Sequence, residues 1–162
     1  MQARLGSTRL PGKSAARLGD RPVIAWVLKR LARAASLSEV RLAAPEGAPD
    51  DPLAHLAAEL GFPCTRGSLV DVLDRFLVAA RDANADHVVR VSGDSPFIDP
   101  ELIDAAVRAH LHTGAEYTRN FQPMDIAPGL CAEVIAREAL ERAAREAVDA
   151  YDREHVTPYF YR

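Results

Sequence analysis

The sequence predicts an α/β domain with a mostly parallel sheet, and two observations lead to that fold class. Short apolar segments of strand length alternate with amphipathic segments of helix length along most of the 162 residues. The clearest strand candidate, residues 86–93, holds a nearly continuous run of valines, which is typical of a strand buried on both faces. No repeat, linker or low-complexity tract divides the chain, so we expect one domain over residues 1–162.

The first half of the chain follows a polar, glycine-rich opening loop. In order, its predicted elements are a helix at 21–36, a strand at 38–45, a helix at 50–61 and a strand at 62–67. The first helix places Ile24, Val27 and Leu28 on one face, with Asp20 as a candidate N-terminal cap. Pro52 suits the first turn of the second helix, because its missing N–H has no helical partner there.

The second half continues the alternation. Its predicted elements are a helix at 68–85, a strand at 86–93, a helix at 99–114, strands at 115–120 and 129–136, and a helix at 137–149. Ser68 and Asp71 form a loose capping box for the first of these helices. Asp99 is the expected N-cap of the second, and Glu138 and Arg142 form an i, i+4 pair on the exposed face of the last.

Composition excludes several classes of partner. The formal net charge is -3, so the chain has no overall basic field, and we expect neither nucleic-acid binding nor attachment to a membrane. Cys64 and Cys131 lie too far apart for a structural zinc motif. With no signal peptide and no apolar run long enough to cross a bilayer, we expect a cytoplasmic protein.

The opening loop has the composition of an anion site. Gly6 and Gly12 allow tight backbone turns. The loop's basic residues are Arg4, Arg9 and Lys13, and its hydroxyls belong to Ser7 and Thr8. Guanidinium and ammonium groups beside free backbone N–H groups suit a triphosphate. The spacing is one residue longer than that of a P-loop, and the alternative interpretation is a basic surface turn.

A second candidate site follows the valine-rich strand, in the segment SGDSP. Asp94 stands there at the carboxyl end of a predicted buried strand, where ligands gather in α/β sheets. A single carboxylate in this place suits Mg²⁺, which takes its remaining ligands from water and substrate phosphates. The alternative interpretation is that Asp94 only closes a turn.

Four ordered motifs resemble those of a known family: QARLGSTRLPGK, RGSLVDVLDRF, RVSGDSPFIDPELID and REHVTPY. They are similar to motifs of the cytidylyltransferases related to acylneuraminate cytidylyltransferase, and most similar to the spore-coat-polysaccharide branch. The resemblance covers nearly all of the chain. It implies a Rossmann-like, three-layer nucleotidyltransferase fold related to that of the GT-A glycosyltransferases. The implied activity is transfer of CMP from CTP to a sugar or sugar phosphate with Mg²⁺, in surface polysaccharide or glycan precursor synthesis.

The resemblance also implies roles for individual residues. Arg4 and Lys13 would be catalytic, Asp94 would bind Mg²⁺, and Asn120 and Glu133 would contact the acceptor sugar. Nucleotide contacts would come from Ala3, Gly6, Ser7, Arg9, Arg66, Ser68 and Arg75. The structural alternatives are that Ser68 only caps a helix and that Arg75 only pairs with Asp71 along it. Relatives are commonly dimers, so a homodimer is a further expectation.

The sequence departs from the family pattern at Cys131, where relatives usually carry an aspartate. A thiol does not replace a carboxylate as a ligand for Mg²⁺ or as an acceptor of hydrogen bonds from sugar hydroxyls. Because relatives also have a longer first strand and a longer C-terminus, we expect the chain to lack part of both. These departures leave two alternatives open, a catalytically impaired nucleotide-binding relative and a GT-A-type glycosyltransferase. A glycosyltransferase of that type would carry a DxD triplet after a strand, and this sequence has no such triplet.

Overall fold

The structure is a computed structural model and describes residues 1–7, 10–121 and 126–162. The strands are β1 (Arg17–Leu18), β2 (Arg21–Pro22), β3 (Leu42–Pro45), β4 (Cys64–Gly67), β5 (His87–Arg90), β6 (Tyr117–Arg119) and β7 (Glu133–Ala136). The helices are α1 (Val23–Leu31), α2 (Asp51–Glu59), α3 (Val72–Asp82), α4 (Pro100–Thr113), α5 (Arg137–Glu146) and α6 (Ala150–His155). Strands and helices therefore alternate as the sequence predicts.

The strands form a parallel pair, an antiparallel triplet and a small hairpin. β3 pairs with β4 in parallel, β5 and β6 flank β7 in antiparallel orientation, and β1 pairs with β2. Among the described ladders only β3–β4 is a parallel pair of strands, so the parallel part is smaller than predicted. The reason is that β7 inserts between β5 and β6 and runs against both.

The first three residues connect the β3 pair to the β5 triplet. Gln2 forms parallel bridges with Ala43 on one side and with Ser92 on the other. Its N–H donates to the carbonyl of Val91 at 3.1 Å, and the N–H of Ala43 donates to the carbonyl of Met1 at 2.8 Å. This short segment therefore lies between the two groups of strands, and it delivers the opening loop to the end of β5.

β5 is only half-buried, which corrects the prediction of a strand covered on both faces. His87 is exposed, and Val88, Val89 and Arg90 are of intermediate exposure. One face of the strand borders a cavity of about 320 Å³ that Met1, Val88 and Val89 help to line. The β-branched residues therefore predict the strand correctly, but they predict more burial than the structure shows.

Two helix starts differ from the sequence expectation. Asp20 does not cap α1: it lies in the β1–β2 turn, its carboxylate pairs with Arg21 at 2.6 Å, and the N-cap position belongs to Pro22. For α3 the cap is Asp71, which accepts from the N–H of Asp74 at 2.9 Å. Ser68 instead accepts from the N–H of Asp71 at 2.9 Å, one turn earlier.

The predicted cap of α4 is confirmed, because Asp99 accepts from the N–H of Glu101.

The predicted ion pair along α5 is not formed. Arg142 turns away from Glu138 and makes a two-point contact with Glu116, just before β6, with Nη1 at 2.9 Å from Oε1. A planar guanidinium gains more from such a fork than from a single contact on its own helix. The opposite face of α5 buries Ala139, Leu140 and Ala143.

Two clusters of buried apolar side chains stabilise the fold. The first packs α1, α2 and α4 around the N-terminal segment and β3, and its members include Leu28, Leu42, Leu53 and Ile103. The second packs α3 against α5 and β7. None of the helices in the described ranges is both long and apolar enough to span a bilayer.

We predict that Gly93→Ala destabilises the fold, whereas Gly6→Ala does not. A Cβ at Gly93 would lie 2.7 Å from Ala3 Cβ and 2.7 Å from the Gln2 carbonyl oxygen, so the N-terminal segment would have to shift. Overpacking of this kind costs about 1–3 kcal/mol. A Cβ at Gly6 would meet nothing within 4 Å. Urea unfolding of both variants measures the difference, and equal midpoints would contradict the prediction.

A buried histidine pair makes the stability dependent on pH. His110 is 1% exposed, and its ring nitrogens lie 3.0 Å from Thr118 Oγ1 and 3.1 Å from His87 Nδ1. Burial lowers the pKa of His110, and the charge of His87 lowers it further. Below the unfolded-state value of about 6.5, the unfolded chain therefore binds a proton more readily than the folded chain.

We therefore predict that the free energy of unfolding falls as the pH drops from 7.5 to 5.5, and that His110→Gln reduces this fall. The exposed His112, on the same helix, provides the control variant His112→Gln, which should keep the wild-type pH dependence. Denaturant unfolding at the two pH values measures both. An unchanged pH dependence in His110→Gln would refute the assignment.

Candidate functional site

A cavity of about 220 Å³ lies where the opening loop meets the carboxyl end of β5. Its lining comes from four parts of the chain: the opening loop, the segment after β5, the start of α3 and the end of α6. Of the residues predicted for the site it contains Ala3, Arg4, Ser7, Lys13, Arg75 and Asp94. The two segments selected from the sequence thus lie together, and we call this space the first cavity.

The opening loop is held by hydrogen bonds to its own backbone and to Asp50, the residue directly before α2. The N–H of Leu5 donates to Oδ1 of Asp50 at 2.6 Å, and the N–H of Gly12 donates to the carbonyl of Leu5 at 2.9 Å. Gly12 has φ of 71°, a conformation that favours glycine, as predicted. Gly6 does not have a positive φ, so its backbone needs no glycine, and it does not line the first cavity.

Four charged side chains of the first cavity form two ion pairs. Lys13 Nζ contacts Asp94 Oδ2, and Arg4 Nη2 lies 3.4 Å from Glu154 Oε1. All four side chains are partly exposed, so solvent and ligands can reach them. A phosphate group would compete for the two cations, and a metal ion would compete with Lys13 for Asp94.

Arg75, on α3, lines the first cavity and is unusual among its residues because it is a buried cation. The residue is 2% exposed, and its Nη1 donates to the carbonyl of Ser68 at 2.7 Å. Its Nε is buried without a hydrogen-bond partner among the described residues. Burial, and to a smaller extent the charge of Arg4, lower the pKa of Arg75 to about 10, against a smaller opposing effect of Asp50. A buried cation with an unused donor beside a cavity favours an anionic ligand.

The other predicted nucleotide contacts lie elsewhere. Arg66 donates to the carbonyls of Pro45 and Gly47, at 2.6 and 3.0 Å, and does not line the first cavity. Ser68 supports the start of α3 and does not line it either. Asp71 pairs with Arg153 instead of Arg75, at 2.5 Å, so the alternative of a pair along the helix is not observed. Arg9 lies outside the described residues.

A second cavity, of about 250 Å³, adjoins the first and shares Arg90, Ser92 and His155 with it. Glu133 lines this second cavity and is 4% exposed. Tyr117 donates its hydroxyl to Glu133 Oε1 at 2.7 Å, and Arg90 Nη1 contacts Oε2. Burial and the Glu133 carboxylate raise the pKa of the Tyr117 hydroxyl, which therefore remains a donor. The carboxylate is fixed at the edge of the space.

The two remaining residues near the second cavity have different positions. Cys131 lines it. Asn120 does not, because its amide holds the backbone that leads into β7: Oδ1 accepts from the N–H of Ala132 at 2.8 Å, and Nδ2 donates to the carbonyl of Leu130 at 3.2 Å. Asn120 therefore positions Cys131 and Glu133 without facing the cavity itself.

The structure adds Asp50, Glu154 and His155 to the residues predicted for the site. The signal for the last two was present, because both belong to the REHVTPY motif. No sequence pattern pointed to Asp50, because its role depends on a contact with Leu5, 45 positions away. The larger cavity beside β5 contains none of Arg4, Lys13 and Asp94, and its lining includes many apolar side chains.

We predict that Asp50→Ala destabilises the protein more than Asp51→Ala does. Asp50 is 4% exposed and accepts the N–H of Leu5, and the loss of a buried charged acceptor costs about 1–3 kcal/mol. Asp51 is 49% exposed and pairs with Arg66 at the surface, an interaction worth about 0–1 kcal/mol. Urea unfolding of the two neighbours compares them, and a larger loss in Asp51→Ala would be the contrary result.

Comparison with known proteins places these features in a family. The family model for cytidylyltransferases matches residues 1–162. The spore coat polysaccharide biosynthesis protein SpsF of Bacillus subtilis is 35% identical over 164 residues, which cover 98% of this chain and 67% of that protein. A 3-deoxy-manno-octulosonate cytidylyltransferase of Solibacter usitatus is 30% identical over 169 residues, which cover 98% of this chain and 65% of that protein.

A solved structure agrees with the sequence relatives. A cytidylyltransferase from Leptospira borgpetersenii superposes with a TM-score of 0.92 at 36% identity, over 98% of this chain and 67% of that one. The chain thus spans about two thirds of the length of the relatives it matches. Its mixed α/β nucleotidyltransferase fold, its four motifs and the full-length match agree, and the chain belongs to the cytidylyltransferase family.

Proposed function

We propose that the first cavity binds CTP and that the protein transfers its CMP group to a sugar, with release of pyrophosphate. The observation that carries the proposal is the convergence of Arg4, Lys13, Arg75 and Asp94 on one cavity. These three cations suit the negative charge of a triphosphate, and the carboxylate suits a divalent cation that accompanies it. The names of the relatives support both the nucleotide and the connection with polysaccharide synthesis.

The residues of the first cavity suit a sparsely ligated metal such as Mg²⁺. Among the described residues, no group of three or more His, Cys, Asp and Glu side chains is placed to hold a metal ion. Asp94 offers a hard oxygen ligand at the edge of the cavity, and Mg²⁺ commonly uses one or two carboxylates together with substrate phosphates and water. When bound, the metal would neutralise phosphate charge as pyrophosphate leaves.

The side chains of the protein would position the nucleotide and stabilise charge. Arg4 and Lys13 reach the cavity from the opening loop, and Arg75 reaches it from α3. These groups would hold the phosphates in line for attack and neutralise the charge on the leaving pyrophosphate. Asp94 would hold the metal and Lys13 would then be free to contact phosphate, so metal and nucleotide would bind cooperatively.

The second cavity is the proposed acceptor site. It adjoins the first, and Glu133 lies at its edge, with Phe121, Tyr151 and Tyr161 also in the lining. Aromatic faces and fixed carboxylates are suited to sugars, which present apolar ring faces and hydroxyl donors. Cys131 in the same lining favours the second candidate, a relative that binds CTP without turnover. Pyrophosphate release separates the two candidates.

Several expectations from the sequence stay predictions. They are the single domain over residues 1–162, the three-layer arrangement related to the GT-A fold, the cytoplasmic location and the homodimer. The metal identity, and the roles of Arg66, Ser68, Gly6, Ala3 and Asn120, also stay predictions.

Calorimetry with CTP tests the proposal, and we expect Mg²⁺ to reverse the order of the CTP affinities of wild type and Asp94→Asn. Without Mg²⁺, we expect Asp94→Asn to bind CTP several-fold more tightly than the wild type, because Lys13 then loses its competing partner. With Mg²⁺, the order should reverse. Lys13→Ala should weaken binding by about tenfold or more, equivalent to about 1.4 kcal/mol. Lys29→Ala, the other lysine of the chain and exposed on α1, is the control.

Two binding results would contradict the proposal. A folded wild type that does not bind CTP at millimolar concentration, with or without Mg²⁺, would exclude the proposed function. Equal binding of ATP and GTP would exclude its specificity for CTP. Detection of pyrophosphate in the presence of CTP, Mg²⁺ and a sugar acceptor would then distinguish an enzyme from a nucleotide-binding relative.

A further inference from the structure

His155 lies at the junction of the two cavities. It is the last residue of α6 and lines both spaces, a property that it shares with Arg90 and Ser92. An arginine side chain does not release its proton at neutral pH, and a serine hydroxyl does not readily accept one. Imidazole titrates near neutral pH and does both. Of the three shared residues, His155 is therefore the one suited to move a proton between the two spaces.

The backbone after His155 is strained, and the strain fixes the end of the helix. Val156 has φ of 70° and ψ of -57°, and the N–H of Thr157 donates to the carbonyl of His155 at 2.8 Å, which closes a γ-turn. This conformation is rare and strained, especially for a β-branched residue. Val156 is fully buried in the second apolar cluster, and this packing holds the turn. Such strain concentrates at functional sites.

The imidazole ring is oriented by contact with Tyr151, one turn earlier on α6. The ring centroids are 4.3 Å apart, and Tyr151 lines the second cavity. Within the described part of the chain, the ring nitrogens of His155 make no hydrogen bond. The ring is therefore held on one face and free at its polar atoms.

The carboxylates around His155 already have cationic partners. Asp94 contacts Lys13, Glu154 pairs with Arg4, and Glu133 contacts Arg90. Arg75 is the further charged group of the first cavity. Each of these carboxylates thus has a cation against one of its oxygens, whereas the ring nitrogens of His155 make no hydrogen bond within the described residues. His155 is therefore the base best placed to take a proton in either space.

We propose that His155 is a catalytic residue that takes the proton of the acceptor's hydroxyl group. This inference rests on the proposed function and narrows it, because a sugar phosphate attacking through a phosphate oxygen needs no base. The acceptor oxygen bonds to the α-phosphorus of CTP, while the bond from that phosphorus to the bridging oxygen of the β-phosphate breaks. Its electron pair leaves with pyrophosphate, and the hydroxyl proton passes to an imidazole nitrogen of His155.

Nuclear magnetic resonance of the labelled histidines locates His155 relative to bound CTP. We expect the ring resonances of His155, assigned with His155→Gln, to shift when CTP and Mg²⁺ are added. The ring of His112, exposed on α4, should not shift. Binding of CTP by calorimetry with no movement of the His155 resonances would overturn the inference while leaving the proposed function intact. Absence of CTP binding would overturn both.

Turnover gives a second, chemical readout with 3-deoxy-manno-octulosonate as the acceptor probe, the sugar acid named among the relatives. We expect His155→Gln to lower kcat by about 100-fold, within the usual range for general bases. CTP affinity should stay within about twofold, since a base contributes little to nucleotide binding. The rise of kcat with pH near neutrality should disappear in His155→Gln and persist in His112→Gln. A retained rise in His155→Gln would overturn the inference.

Discussion

The bridging of Gln2 between β3 and the end of β5 is the constraint on which the rest of the site depends. Its backbone carbonyl accepts from the N–H of Gly93 at 2.7 Å, and its N–H donates to Val91. Arg4 follows Gln2 by two residues, and Asp94 directly follows Gly93. The distance between the opening loop and the Asp94 carboxylate is thus set by main-chain hydrogen bonds. Gly93 permits the approach because it has no Cβ to meet Ala3.

Without a ligand, two ion pairs form in the first cavity, and the buried Arg75 lies beside them with no ion pair among the described residues. Lys13 with Asp94, and Arg4 with Glu154, form partly exposed pairs that cost little to separate. Arg75 differs, because it is buried with an unused donor. An anion in the first cavity would therefore exchange weak surface pairs for contacts with three cations. In the proposed function, nucleotide binding and metal binding would be coupled through the Asp94 carboxylate, which contacts Lys13.

The end of α6 contributes to both cavities although it is distant in sequence from the opening loop. Glu154 reaches Arg4 across 150 positions, and His155 borders the second space. The packed Val156 holds this short helix against α3, and Arg153 pairs with Asp71 at the N-cap of α3. The motif at the C-terminal end of the chain is therefore part of the site, even though its residues lie far from the first three motifs in sequence.

Local patterns predicted the elements well. Apolar periodicity identified all the helices from α1 to α5 and the strands from β3 to β7, and Asp99 identified the cap of α4. Local patterns failed to identify the partners of two charged side chains. Arg142 was assigned to Glu138 and pairs with Glu116, and Asp20 was assigned to α1 and pairs with Arg21. A helix-face rule considers only neighbours on the same helix, whereas a long side chain binds the best partner within its reach.

The sequence by itself determined most of the alternating elements and the family motifs, and it led to the prediction that Arg4, Lys13 and Asp94 serve one site. The residue types and local spacing of the two segments predict the chemistry of a phosphate and metal site. Only the tertiary structure decided the antiparallel position of β7, the support of Leu5 by Asp50 and the place of His155 between two cavities. These features depend on hydrogen bonds and packing between segments far apart in the chain, which local patterns do not record.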